Sequence, residues 1–155
     1  MTGGSVDPTL ARDIEALAVP GLLIGHRVIS PGDENALLDE EAASIASPAV
    51  AARRASGAAR IVARALLAQL GYANAAIPKG ASGAPVWLAG LTGSIAHDDR
   101  IAVAAVGLQR DIRAIGIDVE PAVPLSPDML ELIGTPQELR GISDDPLRGK
   151  LLFVA

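Results

Sequence analysis

Apolar residues recur at helical spacing from Pro8 to Leu17, and Pro20-Gly21 stops the pattern, which predicts a first helix. Leu22 to Ile29 reads as a strand. His26 within it is taken as structural, since no partner for a ligand role lies nearby in sequence. The acidic stretch Asp39-Glu40-Glu41 follows in a short helix. The longest predicted helix starts after Ser47-Pro48 and runs to Leu70, with Gly71 as its C-cap. At about 100° per residue, Ala55, Ala59, Val62, Leu66 and Leu70 share one face, and Arg53, Gly57, Arg60 and Arg64 share the opposite one.

An arginine stripe of this kind reads either as a solvated helix face or as a binding surface. Gly57 favours the second, because glycine inside a helix costs about 1 kcal/mol relative to alanine. Its place is easier to understand if something approaches the backbone between the arginines. Ile77 to Trp87 is a loop rich in Gly and Pro that carries Lys79, a composition that suits a phosphate but also a plain surface loop. Gly93 to Asp99 leads into Ile101–Val106, a run apolar on both faces and therefore a central strand, with Ser94 and His97 just before it.

In Ile115-Gly116-Ile117-Asp118-Val119-Glu120 the period is two. This predicts a strand with Ile115, Ile117 and Val119 on one side and Gly116, Asp118 and Glu120 on the other, ended by Pro121. Helical pieces follow over 127–133, from Thr135-Pro136-Gln137-Glu138, and near Asp144-Asp145-Pro146. The whole pattern is of the α/β (α+β) class, with no internal repeat.

Composition narrows the function classes. The 155 residues are 50% hydrophobic and 20% charged, which suits a globular core, and only one Trp, one Tyr and one Phe are present. That core is aliphatic and offers no base-stacking platform. The formal net charge of -5 argues against nucleic-acid binding driven by overall charge. The absence of cysteine excludes disulfides, zinc-thiolate sites and a thiol nucleophile. No apolar run is long enough to span a bilayer, and the N-terminus lacks a signal-peptide pattern, so a cytoplasmic location is expected.

Asp118 and Glu120 on one strand face repel each other unless a cation sits between them. Mg2+ takes one or two protein carboxylates and leaves its other positions to water and phosphates. With Arg53, Arg60, Arg64, Lys79 and His97 elsewhere in the chain, the pattern points to a metal and a polyphosphate, although a solvated acid pair would look the same. Ser94, His97 and Asp98 lie too close along one extended segment to converge as nucleophile, base and orienter, and G-x-S-x-G is absent.

Three stretches taken together resemble the 4'-phosphopantetheinyl transferases, in particular the siderophore (enterobactin) synthase type. They are Arg53 to Arg60, Gly83 to His97, and Ile115 to Glu120. The resemblance implies transfer of the phosphopantetheine arm of coenzyme A to a serine of an acyl or peptidyl carrier protein, with Mg2+. By motif, Asp118 and Glu120 would be metal ligands and, with His97, catalytic; His97 and Ser94 would contact the coenzyme A phosphates. Arg53, Arg60 and Lys79 would hold the 3'-phosphate and adenine end.

The implied fold is the first half of a pseudo-twofold structure, residues 1–120, plus the beginning of its second half, residues 121–155. Two departures are the family's Trp-Pro, here Trp87-Leu88, and its Ser-x-Ser-His, here Ser94-Ile95-Ala96-His97. A further family motif, with a third carboxylate, would begin where Leu151 to Ala155 ends. The expectation is therefore a C-terminally truncated transferase with impaired activity. The alternative is a non-catalytic remnant that binds coenzyme A or a nucleotide.

Overall fold

The computed structural model describes residues 6–17, 19–140 and 147. The chain divides into two compact units, Met1–Val119 and Glu120–Ala155. The first is a mixed α+β unit of α1 (Pro8–Ala16), β1 (Leu22–Val28), a 3-10 turn (Asp33–Ala36), α2 (Asp39–Ser44), α3 (Val50–Gln69), β2 (Leu91–His97) and β3 (Ile101–Leu108). The Asp7 carboxylate caps α1 by accepting from the Thr9 and Leu10 amides at 3.0 and 3.1 Å. Gly71, just past α3, takes the left-handed φ of 91° that glycine tolerates best.

The three strands are antiparallel in the order β1-β3-β2. β3 is the central strand that its apolar run predicts, and Ile101 through Gly107 are all buried. Directly paired residues share a sheet face, so Gly25, Ala104 and Ile95 lie together on one side. That side receives α3. A Cβ added to Gly25 would sit 3.1 Å from Val62 Cγ1, so helix and sheet approach closely there. Val62, Ala63, Leu66 and Leu67 of α3 pack with Ile77, Leu91, Ala104 and Val106, and Trp87 lies against this cluster. His26 is on the opposite face, with Nε2 3.0 Å from the Asp7 amide and 3.1 Å from the Asp7 carbonyl. Its tautomer decides which of the two it bonds, and either bond ties the start of α1 to β1.

Two expected elements differ. Leu91–His97, read as a lead-in to the central strand, is itself a strand, paired with β3 from Leu91 opposite Leu108 to His97 opposite Ala102. Its Gly93 is required by Trp87. A Cβ there would meet Trp87 Cζ2 at 2.6 Å and the Ala105 carbonyl oxygen at 2.7 Å. Gly93→Ala should therefore destabilise the protein by about 1–3 kcal/mol, the usual cost of overpacking. Because Trp87 is the only tryptophan, its fluorescence in a urea titration reports both the shift in midpoint and the displaced ring. An unchanged spectrum and midpoint would contradict the contact.

The second difference is that residues 115–120 form no strand. Their alternation survives as burial: Ile115, Ile117 and Val119 are half-buried, while Gly116, Asp118 and Glu120 are exposed. A strand needs a backbone ladder as well as alternating side chains, and no pairing to β1, β2 or β3 involves this segment. It packs by side chain instead. Ile115 Cδ1 lies 3.5 Å, and Ile112 Cδ1 3.2 Å, from where a Cβ on Gly107 would be.

In the second unit, α4 (Pro127–Ile133) is capped by Ser126, and α5 (Pro136–Arg140) begins at Thr135, whose amide and hydroxyl both donate to Glu138 at 2.8 and 2.7 Å. Both helices match the sequence reading. The helix expected near Asp144 lies outside the described residues, as does the Leu151–Ala155 stretch. No helix among the described residues is long and apolar enough to cross a membrane.

Candidate functional site

The arginine stripe of α3 faces neither solvent nor an open binding surface along most of its length. The 3-10 turn and α2 cover it. At Gly57 an added Cβ would be 1.9 Å from the Asp33 carbonyl oxygen, so the approaching group is the chain's own backbone. Asp33 itself is buried and takes both Nε and Nη2 of Arg27, at 3.0 and 2.7 Å. That hydrogen bond holds the Arg27 guanidinium above its ordinary range.

Arg60, expected among the outward groups, is 4% exposed. It donates from Nε to the Ile77 carbonyl at 2.8 Å and from Nη1 to the Ser56 carbonyl at 3.3 Å. Burial, more than the nearby Arg64 charge, pushes its pKa down. Arg64 bonds both carboxylate oxygens of fully buried Glu41, at 2.8 and 2.6 Å, and the Ala36 carbonyl at 2.6 Å. Glu41 also accepts from the Ile77 and Leu38 amides, each at 2.9 Å.

Arg53 is the α3 arginine whose guanidinium makes no hydrogen bond or ion pair among the described residues, and it is half-buried in the helix's first turns. Lys79 is exposed in a closed loop, where its Cε runs 3.6 Å from the position a Cβ on Gly83 would take. Its ammonium has no partner among the described residues.

His97, exposed at the end of β2, borders a cleft of about 280 Å3 with Ile29, Asp98, and Ala51, Ala52 and Arg54 from the start of α3. Its Nδ1 lies 3.4 Å from the Asp98 carbonyl oxygen. Ser94 does not join it there. It pairs with Ala105, on the sheet face opposite to that of His97 and Ala102. This separation also removes the Ser94, His97 and Asp98 hydrolase arrangement. Asp118 is exposed and makes no hydrogen bond or ion pair among the described residues; Glu120 is also exposed. No three His, Asp or Glu side chains among the described residues converge as a metal-binding group.

This geometry sets a histidine at a cleft beside the first turns of an arginine-bearing helix, with a lysine loop anchored farther along that helix. Residues 40–107, which contain all of these elements, match the family model of the 4'-phosphopantetheinyl transferase N-terminal domain. Over this segment the chain is similar to the 4'-phosphopantetheinyl transferases.

Relatives include the 4'-phosphopantetheinyl transferase Npt of Nocardia iowensis, 41% identical over 63% of this chain and 45% of its own length. The transferase Svp of Streptomyces mobaraensis is 36% identical over 70% of this chain and 45% of its own. The transferase PptT of Mycobacterium tuberculosis is 39% identical over 65% and 44%. The chain thus spans less than half the length of these curated relatives. Two of the three stretches that carry the resemblance, Arg53 to Arg60 and Gly83 to His97, lie inside the transferase domain match, and Ile115 to Glu120 lies beyond it.

Sequence reasoning missed Arg54 and the acids that occupy the arginines. Arg54 forms a fork with Glu34, Nε to Oε2 at 2.8 Å and Nη2 to Oε1 at 3.1 Å, and so presents a neutralised pair at the cleft. This fork holds the Glu34 carboxyl down at about 2, from an ordinary value of 4.5. Since the unfolded chain binds the proton first as pH falls, the pair's contribution is fully present above pH 4.5 and is lost as pH drops toward 2. Glu34→Gln should accordingly flatten the acid limb of stability in that window, at low salt, in urea titrations run at several pH values. Identical acid limbs for the two proteins would show that the fork does not form.

Proposed function

We propose that the protein acts in 4'-phosphopantetheinyl transfer, moving the phosphopantetheine arm of coenzyme A to a serine of a carrier protein with Mg2+, in the siderophore-synthase manner and in the cytoplasm. The observation that carries the reading is the transferase N-terminal domain match over residues 40–107, in which His97 and the start of α3 border one cleft. In this reading His97 meets the coenzyme A phosphates there. Arg53 and Lys79, whose charges no other group of the described chain takes up, hold the 3'-phosphate and adenine end. Arg60 serves this end indirectly, through its bond to Ile77. Ser94, on the other sheet face, has the weakest support as a phosphate contact.

Asp118 and Glu120 are hard oxygen donors on exposed positions, and Asp118 is claimed by no cation of the described chain, a donor set that fits Mg2+. Bound to them, the ion would neutralise the pyrophosphate of coenzyme A. The reaction forms a bond from the seryl oxygen to the β-phosphorus and breaks the bond from that phosphorus to the bridging oxygen. The bridging oxygen keeps the electron pair, 3',5'-ADP departs, and the seryl proton is released. Arg53, Lys79 and His97 orient the leaving half and spread its charge.

Mass spectrometry of an apo carrier protein incubated with this chain, coenzyme A and Mg2+ tests the transfer. The carrier is expected to gain one phosphopantetheine arm, but slowly, and Asp118→Ala to prevent the gain. A carrier that stays unmodified beside a chain that binds coenzyme A would remove transfer and leave a coenzyme A-binding module.

A further inference from the structure

Four consecutive backbone polar groups ahead of the Lys79 side chain are fixed. The Ile77 amide donates to Glu41 Oε1 at 2.9 Å, and the Ile77 carbonyl accepts from Arg60 Nε at 2.8 Å. The Pro78 carbonyl accepts from the Val86 amide at 2.8 Å. The Lys79 amide donates to Ser44 Oγ at 2.8 Å. Ser44 sends its one hydroxyl proton to the Glu41 carbonyl at 2.7 Å, which leaves an oxygen lone pair aimed at Lys79. Downstream the loop closes on itself, Gly80 amide to Ala84 carbonyl at 2.8 Å and Gly83 amide to Gly80 carbonyl at 2.9 Å.

Three of these four partners are side chains of α2 and α3, and two of them, Glu41 and Arg60, are buried ionisable groups. Buried charges of this kind contribute less stability than apolar residues of similar volume. What they supply here is a fixed backbone from which an exposed ammonium projects. An ordinary surface loop has no use for such an anchor, whereas a cation that must meet one phosphate gains from it, because less freedom is lost on binding.

We propose that Glu41, Ser44 and Arg60 are positioning residues that set Lys79 for the 3'-phosphate, and thereby make the site discriminate between 3'-phosphorylated coenzyme A and its 3'-dephospho form. This rests on the reading of the Lys79 loop as part of a coenzyme A site. Ser44 is the residue to change, since it lies at the end of α2, and its loss leaves the Glu41–Arg64 pair intact.

Two measurements on the full chain test the proposal. Hydrogen exchange of Ser44→Ala should quicken at the Lys79 amide by about tenfold or more while β3 amides keep their protection, and Ser44→Thr should retain it. Calorimetry should show coenzyme A bound about tenfold more weakly by Ser44→Ala, with 3'-dephospho-coenzyme A bound as by the parent. Adding Ser44→Ala to Lys79→Ala should weaken coenzyme A binding no further. Equal weakening toward both ligands, additive losses, or a loosened loop with unchanged affinity would overturn the positioning role. A parent chain that binds no coenzyme A would overturn the functional reading and the 3'-phosphate role with it. In that case the exchange result still decides whether Ser44 holds the loop.

Discussion

Gly57→Ala is expected to destabilise the protein by about 2 kcal/mol or more, although helix propensity alone predicts a gain of about 1 kcal/mol. The two effects have opposite signs, so the experiment separates them. The added Cβ would fall 1.9 Å from the Asp33 carbonyl oxygen and 2.8 Å from its carbon, both backbone atoms with no flexible end to swing away. Relief requires the 3-10 turn to lift from α3. The turn carries Asp33, bound to Arg27, and Glu34, bound to Arg54, so the movement strains two ion pairs as well as the packing. Overpacking of this severity sits at or above the usual range of about 1–3 kcal/mol. Urea denaturation at neutral pH measures it, and a variant at least as stable as the parent would show that the turn does not rest on Gly57.

Glu41→Ala is expected to cost about 3–5 kcal/mol, the range for breaking a buried pair by removing one partner. Glu41 is fully buried, and its two oxygens take four hydrogen bonds, two from Arg64 and one each from the Ile77 and Leu38 amides. Alanine would leave the Arg64 guanidinium short of its counter-charge and two amides without acceptors. Glu41→Gln keeps the shape and one acceptor oxygen and should lose less. Removing the charge from both partners, as in Glu41→Gln with Arg64→Met, should recover part of the loss relative to Glu41→Gln alone. A loss below about 1 kcal/mol for Glu41→Ala would mean that water reaches Arg64 in the parent.

The helices were legible in the sequence because their signals are local. Pro8 and Asp7 start α1, Ser126 and Pro127 start α4, and Gly71 follows α3. β3 was legible because a run apolar on both faces has few other uses. β2 was not, since Gly93 and Ser94 resemble loop residues and only pairing with β3, together with the Trp87 ring over Gly93, makes the segment extended. Residues 115–120 erred the other way. Their alternation describes which side chains are covered, and it carries no information on whether a neighbouring backbone is available.

The same limit governs the site. The helical wheel put Arg53, Gly57, Arg60 and Arg64 on one face, and the energetic cost of Gly57 correctly pointed to something close against the backbone. What lies there is the 3-10 turn and α2, whose acids sit about 20 residues away along the chain, beyond any local pattern. Arg60 and Arg64 are therefore interior groups, whereas Arg53, Lys79 and His97 kept the accessibility that a phosphate contact needs.

Isothermal titration with coenzyme A, with and without Mg2+, decides whether Lys79 and Asp118 belong to a coenzyme A site. Saturable binding is expected that Mg2+ strengthens in the parent chain and not in Asp118→Ala, and that Lys79→Ala weakens in both conditions. Binding indifferent to Mg2+ and to Asp118→Ala, or no binding at all, would contradict that assignment.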